Sequence, residues 1–93
     1  MTFDPVKIED FLANFNANKK AIRNFEGCKH LELLQDADDS NVYFTYSHWL
    51  SKDHLESYRS SALFKEVWSR TKPLFLERPQ AWSIHQVMMV AKN

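Results

Sequence analysis

Two histidines, a tryptophan and two tyrosines lie close together in YSHWLSKDHLESY, residues 46–58. His48 and His54 are six positions apart, but no HExxH motif, cysteine pair or carboxylate triad accompanies them. A metal site needs three or four ligands in a defined geometry. The sequence therefore predicts no metal site, with His54 solvated and His48 in or near a subunit interface.

The remaining histidines are candidate catalytic bases. His30 and Glu32 are two positions apart, so they share one face of a strand and can form a carboxylate-oriented imidazole. The alternative is an ordinary surface pair at the edge of a sheet. His85 lies on a predicted last strand, where it is either a structural histidine or a base in a pocket.

Aromatic residues are candidates for holding a flat ligand, because aromatic faces stack on planar molecules and exclude water. The candidate lining residues are Tyr43, Trp49, Tyr58, Phe64 and Trp68. Aromatic residues at helical spacing also occur as plain core, and that alternative applies to Phe64 and Trp68 above all.

A long helix is predicted near the start of the chain. Asp4 suits a helix cap and Pro5 the first helical position. Apolar residues then recur at helical spacing as far as Phe25, and Gly27 suits the end of a helix. They are Ile8, Phe11, Leu12, Phe15, Ile22 and Phe25.

Two strands are predicted next, in KHLELLQ and NVYFTYSHWL, joined by the loop DADDSN as an antiparallel hairpin. With Gln35 opposite Val42, the residues His30, Glu32, Thr45 and Trp49 share a face. A slip of one residue changes which residues share a face.

Helices are predicted after Ser51 and after Ser60 or Ser61, and Pro73 should bend or end the second of them. A last strand is predicted in AWSIHQVMMV, and MTF fits the remnant of a first strand. This order predicts an α+β fold, a ferredoxin-like antiparallel sheet with helices on one face, built from residues 1–93 as one domain. Both sheet faces carry large apolar residues, so we expect the uncovered face to form a homodimer.

Composition restricts the partners. Twelve basic and twelve acidic residues cancel, which argues against a nucleic-acid partner. No signal peptide and no apolar run of membrane-spanning length is present, so no membrane partner is expected. The single cysteine, Cys28, fits a reducing compartment. A cytoplasmic location follows as an expectation.

The chain resembles the antibiotic biosynthesis monooxygenase (ABM) domains over nearly its whole length. The resemblance rests on the turn FEGC, on LELLQDADDSN followed by VYFTYSHW, and on WLSKDHLESYRSSALF, in this order. It implies a dimeric α+β barrel with a pocket between the sheet and the helices of each subunit.

The resemblance also implies a function. Some members oxidise phenolic or quinol substrates with molecular oxygen and need neither metal nor flavin, so no cofactor is expected. By position, the strand tryptophan of the family is Trp49, the helix position often held by histidine is Tyr58, and a position that is asparagine in some catalytic relatives is Thr45. Trp68 stands at the axial histidine position of the haem-degrading branch and cannot bind iron.

The resemblance thus implies a cofactor-independent monooxygenase of a small aromatic or quinol-like molecule. Trp49 would stack on the substrate, Thr45 and Tyr58 would bind its oxygens, and His30 or His85 would take the proton. The alternative is a non-catalytic dimer that binds a small ligand or is purely structural.

Overall fold

The computed structural model describes residues 1–93 as three helices, two 3-10 turns and a two-stranded antiparallel sheet. The helices are α1 (Ile8–Arg23), α2 (Lys52–Arg59) and α3 (Ala62–Thr71), and the strands are β1 (Cys28–Gln35) and β2 (Tyr43–Trp49). The 3-10 turns are Pro5–Lys7 and Lys72–Leu74. The predicted α+β class is confirmed. None of the helices combines the length and apolar character needed to cross a membrane.

Side-chain caps set the helix boundaries largely as expected. The Asp4 carboxylate accepts the backbone N–H of Val6 and starts the turn that leads into α1. Ser51 caps α2, and Ser61 caps α3 by accepting the backbone N–H of Phe64 at 3.1 Å. Helix α3 ends at Thr71 and is followed by a 3-10 turn that contains Pro73, because proline has no N–H to continue the hydrogen bonds of the helix.

The end of α1 differs from the prediction. The helix stops at Arg23, and Gly27 lies beyond it in the tight turn before β1 with a φ of 87°. That left-handed conformation suits glycine, which has no Cβ to clash with the neighbouring carbonyl. Gly27 therefore shapes the entry into β1 rather than the end of the helix.

The predicted strand register is wrong by one residue. Gln35 pairs with Tyr43 rather than Val42, and His30 lies directly opposite His48. The cause is the loop chemistry of Asp36, whose carboxylate accepts the backbone N–H groups of Asp38 and Asp39 at 2.8 and 3.0 Å. These hydrogen bonds also lower the pKa of Asp36. They close the loop one residue later, with the N–H of Asp36 bonded to the carbonyl of Val42.

The observed register divides the sheet into two faces. The inner face, which the helices cover, comprises Leu31, Leu33, Tyr43, Thr45, Ser47 and Trp49. The open face comprises His30, Glu32, Leu34, Phe44, Tyr46 and His48. A bulge at position 29 shifts the pairing, so Cys28 stands opposite Trp49 and is buried.

The first three residues complete the core. Thr2 bridges to Val42 and Phe3 to Phe75, so the N-terminal segment lies between β2 and the turn after α3. These are isolated bridges, so MTF, expected as the remnant of a first strand, makes backbone contacts without forming a strand. The ring of Phe3 is fully buried and stacks on Phe11 with 4.0 Å between ring centroids.

The predicted last strand does not form. Residues 77–93 contain no helix or strand. The large apolar side chains there are 70 to 87% exposed; they are Trp82, Ile84, Val87, Met88, Met89 and Val90. A strand depends on a neighbouring edge for its backbone hydrogen bonds, and this segment pairs with none within the chain.

Candidate functional site

A cavity of about 120 Å³ lies between the inner face of the sheet and the three helices. Its lining is mostly apolar and aromatic, with a few hydroxyl groups. The lining residues are Met1, Phe11, Phe15, Ile22, Leu31, Thr45, Ser47, Trp49, Tyr58, Phe64, Val67, Trp68 and Thr71. The cavity therefore lies where the sequence predicts a pocket.

One wall is formed by Trp49 and Tyr58, which stack on each other. Their ring centroids are 4.9 Å apart and the planes meet at 23°. Ser51 caps α2 two residues after β2 ends, so Tyr58, about two turns further on, lies back over Trp49. No ligand ring fits between two rings already in stacking contact. The cavity thus lies beside this pair, which presents one continuous aromatic surface to it.

Helix α3 supplies another wall. Phe64 and Trp68 are one helical turn apart, and their rings lie nearly parallel, 6.0 Å between centroids and 13° between planes. Next to them the Thr71 hydroxyl donates to the Val67 carbonyl at 2.7 Å and accepts from the Asn14 side chain at 3.2 Å. These hydrogen bonds satisfy the only hydroxyl that α3 contributes, so its surface is apolar toward the cavity.

The polar side of the cavity lies along β2. Thr45 and Ser47 are exposed residues of the inner face, so they form the mouth of the cavity. The Ser47 hydroxyl accepts the indole N–H of Trp49 at 2.9 Å and keeps its own proton for a ligand. The mouth thus offers hydroxyl donors from Thr45 and Ser47, with the phenol of Tyr58 in the adjoining wall.

Tyr58 is a neutral phenol at physiological pH. Burial, with a smaller contribution from negative charge on Cys28, raises the pKa of Tyr58 to about 12. The group therefore donates a hydrogen bond and does not act as a base. No lining residue carries a carboxylate or an imidazole, so the cavity walls can stabilise negative charge on a ligand better than they can remove a proton.

We expect the protein to lose stability between about pH 10 and pH 12, because the unfolded chain gives up the Tyr58 proton first. The stabilisation is complete below the ordinary tyrosine pKa of 10.0 and is lost as the pH rises through about 12. Such a shift corresponds to at most ~2.7 kcal/mol. Solvent screening of this partly exposed side chain reduces the expected loss to roughly 1 kcal/mol.

Urea unfolding of the wild type and Tyr58→Phe across this pH range would measure the effect. The phenylalanine variant should lose this part of the pH dependence, whereas Tyr46→Phe, which removes an exposed phenol of the open face, should keep it. An unchanged slope in Tyr58→Phe would show that Tyr58 does not carry the alkaline transition.

Five of the predicted site residues meet at the cavity. They are Thr45, Trp49, Tyr58, Phe64 and Trp68. The aromatic residues act both as pocket and as core, since they pack on one another and also border the cavity.

His30 and Glu32 do not reach the cavity. His30 Nε2 lies 3.2 Å from Glu32 Oε1, but both side chains are about half exposed on the open face. The expectation that they share a face with Trp49 is wrong because it followed from the wrong register. The geometry corresponds to the alternative of a surface pair.

Tyr43 and His85 also lie elsewhere. Tyr43 is buried against Phe3 and Phe11, and its hydroxyl accepts from the Gln35 amide at 3.1 Å. His85 is exposed in the segment 77–93, which has no helix or strand. Tyr43 is thus a core residue, and His85 has no contact with the cavity.

Three residues at or beside the cavity are not among the candidates expected from the sequence: Ser47 and the hydrogen-bonded pair Asn14 and Thr71. Ser47 alternates with Thr45 and Trp49 along β2, and this period of two could have identified it. Asn14 and Thr71 are 57 positions apart and belong to different helices, so no local pattern relates them.

No three histidine, cysteine, aspartate or glutamate side chains converge on a point where they could hold a metal ion. On the open face His48 Nε2 lies 2.7 Å from the Tyr46 hydroxyl, and the rings of His30 and His48 are 5.4 Å apart. His54 is in hydrogen-bond contact with Ser51 at the start of α2. His48 thus lies on β2 and His54 at the start of α2, and the two histidines of YSHWLSKDHLESY do not form one site.

Solved structures share this fold. A Bordetella bronchiseptica protein that bears the antibiotic biosynthesis monooxygenase name superposes with a TM-score of 0.82 at 22% identity, covering 95% of this chain and 91% of its own. A Mycobacterium tuberculosis protein gives 0.78 at 19% identity, with 94% and 91% covered. A conserved Methanosarcina mazei protein gives 0.79 at 17% identity, with 83% and 76% covered. At these identities the likeness shows the fold alone.

The sequence itself is the more specific evidence. No functionally curated protein matches the chain. The family model described as antibiotic biosynthesis monooxygenase matches residues 1–69, which include all the residues of the cavity wall except Thr71. The chain therefore belongs to the antibiotic biosynthesis monooxygenase family.

Proposed function

We propose that the protein is a cofactor-independent monooxygenase that oxidises a small aromatic, quinol-like molecule with molecular oxygen. The observation that carries this proposal is the aromatic cavity with hydroxyl donors at its mouth, in a chain of the monooxygenase family. Such a cavity excludes water from an electron-rich ring and hydrogen-bonds the negative charge on its oxygen.

The proposed reaction needs no external reductant. A deprotonated quinol adds oxygen at a ring carbon to form a hydroperoxide, which then loses water to give a hydroxyquinone. One oxygen atom ends on the ring and the other in water, and the substrate supplies all four electrons. Trp49 and Tyr58 present a stacking surface, while the hydroxyls of Thr45, Ser47 and Tyr58 would hold the ring oxygens.

The proton of the substrate leaves through the mouth of the cavity to water in this proposal, because the wall contains no carboxylate or imidazole. His30 and His85, the bases expected from the sequence, lie outside the cavity. The rate should therefore rise with pH as the substrate ionises, and the midpoint should follow the pKa of the substrate across a series of substituted catechols and hydroquinones.

Oxygen consumption with that series tests the proposal. We expect one oxygen molecule consumed per quinol and at least about a tenfold loss of kcat/KM in the double variant Trp49→Phe/Tyr58→Phe, equivalent to about 1.4 kcal/mol. The matched control Trp82→Phe/Tyr46→Phe changes the same residue types outside the cavity, Trp82 in the segment 77–93 and Tyr46 on the open face, where phenylalanine keeps the ring, and should retain wild-type activity.

Absence of turnover, or a double variant as active as the wild type, would contradict the proposal. A midpoint that stays fixed across the series would point instead to a base of the protein. The amino group of Met1 is the one other ionisable group in the lining, and it donates to the Tyr43 carbonyl at 2.9 Å.

A second candidate is a dimer that binds a small ligand without chemistry. The absence of a carboxylate or imidazole from the cavity wall favours it, as does the weaker hydroxyl of Thr45 in place of an amide. Ligand binding without oxygen consumption would distinguish this function from the first.

The open face supports a homodimer as the proposed assembly. Leu34, Phe44 and Tyr46 are 44, 42 and 38% exposed there, and a sheet face with this much apolar surface is usually covered. The zero net charge supports a protein without a nucleic-acid or membrane partner. The single Cys28 supports a cytoplasmic location, which we also propose.

We expect sedimentation velocity at micromolar concentration to show a dimer, and Phe44→Glu to shift it to monomer by burying a charge in the interface. Leu12→Glu is the control, because Leu12 is similarly exposed, at 39%, but lies on α1. A monomeric wild type, or a Phe44→Glu variant that still forms the dimer, would refute the assignment of this face.

A further inference from the structure

We infer that the ligand of the cavity is a single six-membered aromatic ring that carries its oxygens along one edge, as in a catechol. This inference rests on the proposed function and narrows its substrate class. It follows from the size of the cavity, from the way its walls are held, and from the placement of its polar groups.

Size sets the limit of one ring. The cavity holds about 120 Å³. An apolar protein cavity of about 150 Å³ takes up benzene. The cavity here is smaller still, so a single ring fills it with its oxygens at the open mouth, and a second fused ring must push the walls apart. Forcing extra carbon atoms into a packed interior is unfavourable, because the surrounding side chains must leave their preferred rotamers.

The walls resist such widening because each is held by a neighbouring contact. Trp49 is held between the Tyr58 ring and the Ser47 hydroxyl. On the opposite helix, Trp68 packs against Phe64 at 6.0 Å and against Phe75 at 5.5 Å. Asn14 ties α1 to α3 through the Val67 carbonyl and the Thr71 hydroxyl, at 3.3 and 3.2 Å, so these two helices are fixed to each other across the cavity.

The polar groups that remain free to bind a ligand lie on or beside β2. The Met1 amino group is bonded to the Tyr43 carbonyl of β2, and the Thr71 hydroxyl of α3 already has both a donor and an acceptor. Thr45 and Ser47 come from β2 and Tyr58 from the wall that adjoins them, whereas α1 contributes Phe11, Phe15 and Ile22. A ring with oxygens at opposite ends would place one of them against these apolar side chains without a hydrogen bond, which is unfavourable. Adjacent oxygens can both face the hydroxyls at the mouth.

Anaerobic calorimetry with three diols tests the inference without any reaction. Catechol and naphthalene-2,3-diol share the same pair of adjacent oxygens and differ by one ring, while hydroquinone keeps one ring and moves an oxygen to the far end. We expect catechol to bind at least about tenfold more tightly than either of the others.

Variants that enlarge the cavity should change this order in a defined way. Phe64→Ala removes a ring from the wall, and Val67→Ala removes two methyl groups and serves if the larger change disturbs folding. In either variant the ratio of the Kd of naphthalene-2,3-diol to the Kd of catechol should fall at least about threefold. Leu12→Ala, on the exposed side of α1, should leave the ratio as it is in the wild type.

Binding of naphthalene-2,3-diol or hydroquinone as tight as that of catechol would overturn the inference, as would failure of all three to bind. Catechol binding without oxygen consumption in air would leave it standing and remove the proposed oxygenation. Oxidation of fused-ring quinols as readily as single-ring ones would support the proposed oxygenation but overturn the inference of a single-ring ligand.

Discussion

Replacing Phe3 with alanine should destabilise the protein by about 3–5 kcal/mol, a large part of the roughly 5–15 kcal/mol that holds a domain of this size together. Phe3 is fully buried, stacks on Phe11 at 4.0 Å, and contacts the rings of Tyr43 and Phe75 at 5.9 and 5.2 Å. Its removal leaves a void where α1, β2 and the turn after α3 meet. The variant should be largely unfolded at 37 °C.

Chemical unfolding followed by far-UV circular dichroism would measure this loss. Val6→Ala is the control, because Val6 is three positions away in the chain, is 83% exposed, and should change stability by no more than about 0.5 kcal/mol. A Phe3→Ala variant with near wild-type stability would mean that the N-terminal residues do not form part of the core.

Substituting Gly27 with alanine should cost about 2–4 kcal/mol, from two effects that act together. Gly27 has a φ of 87°, where any residue with a Cβ is strained. A Cβ at this position would also overlap the His54 ring and its Cβ atom at the start of α2. The second effect cannot be relieved by rotating the His54 side chain, since its Cβ moves only with the backbone.

Two further variants separate these effects. Gly27→Asn keeps the steric overlap but tolerates a positive φ better, so a loss similar to that of alanine would show that the overlap dominates. Glu26→Ala changes the adjacent exposed residue and should have little effect. Stability of Gly27→Ala equal to the wild type would contradict the close approach of the turn to α2.

The Gly27 substitution should also affect the cavity. The Gly27 carbonyl accepts the backbone N–H of Leu50 at 2.8 Å, so the turn before β1 holds the end of β2 as well as the start of α2. Trp49 and Tyr58 lie on these two elements. Displacing α2 would separate their stacked rings, and we therefore expect Gly27→Ala to weaken ligand binding along with stability.

The open face shows how a local error in register changes a functional assignment. With the predicted register, His30 and Glu32 would lie beside Trp49 as a catalytic pair. The carboxylate of Asp36 closes the hairpin one residue later, and the same pair then lies on the other side of the sheet. Side chains alternate between faces along a strand. A shift of one residue in the register therefore determines whether His30 and Glu32 face the cavity or the open side.

Much of the fold could be predicted from the sequence because it depends on local interactions. The caps Asp4, Ser51 and Ser61 act within three residues of themselves and mark where helices begin. Aromatic and β-branched residues mark β2, and Pro73 marks the end of α3. The resemblance carried by WLSKDHLESY implied that Trp49 and Tyr58 lie near one pocket, and both line the cavity.

The tertiary structure alone decided the rest, because it depends on contacts between distant residues. The Trp49 and Tyr58 rings stack on each other and leave the cavity beside them, which their spacing in the chain does not reveal. The hydrogen bonds from Asn14 to α3 hold α1 and α3 together and so limit how far the cavity can widen. Residues 82–90 have the composition of a strand, yet form none without an edge to pair with. Local sequence specified the elements of this protein, and long-range packing specified which side chains its cavity contains.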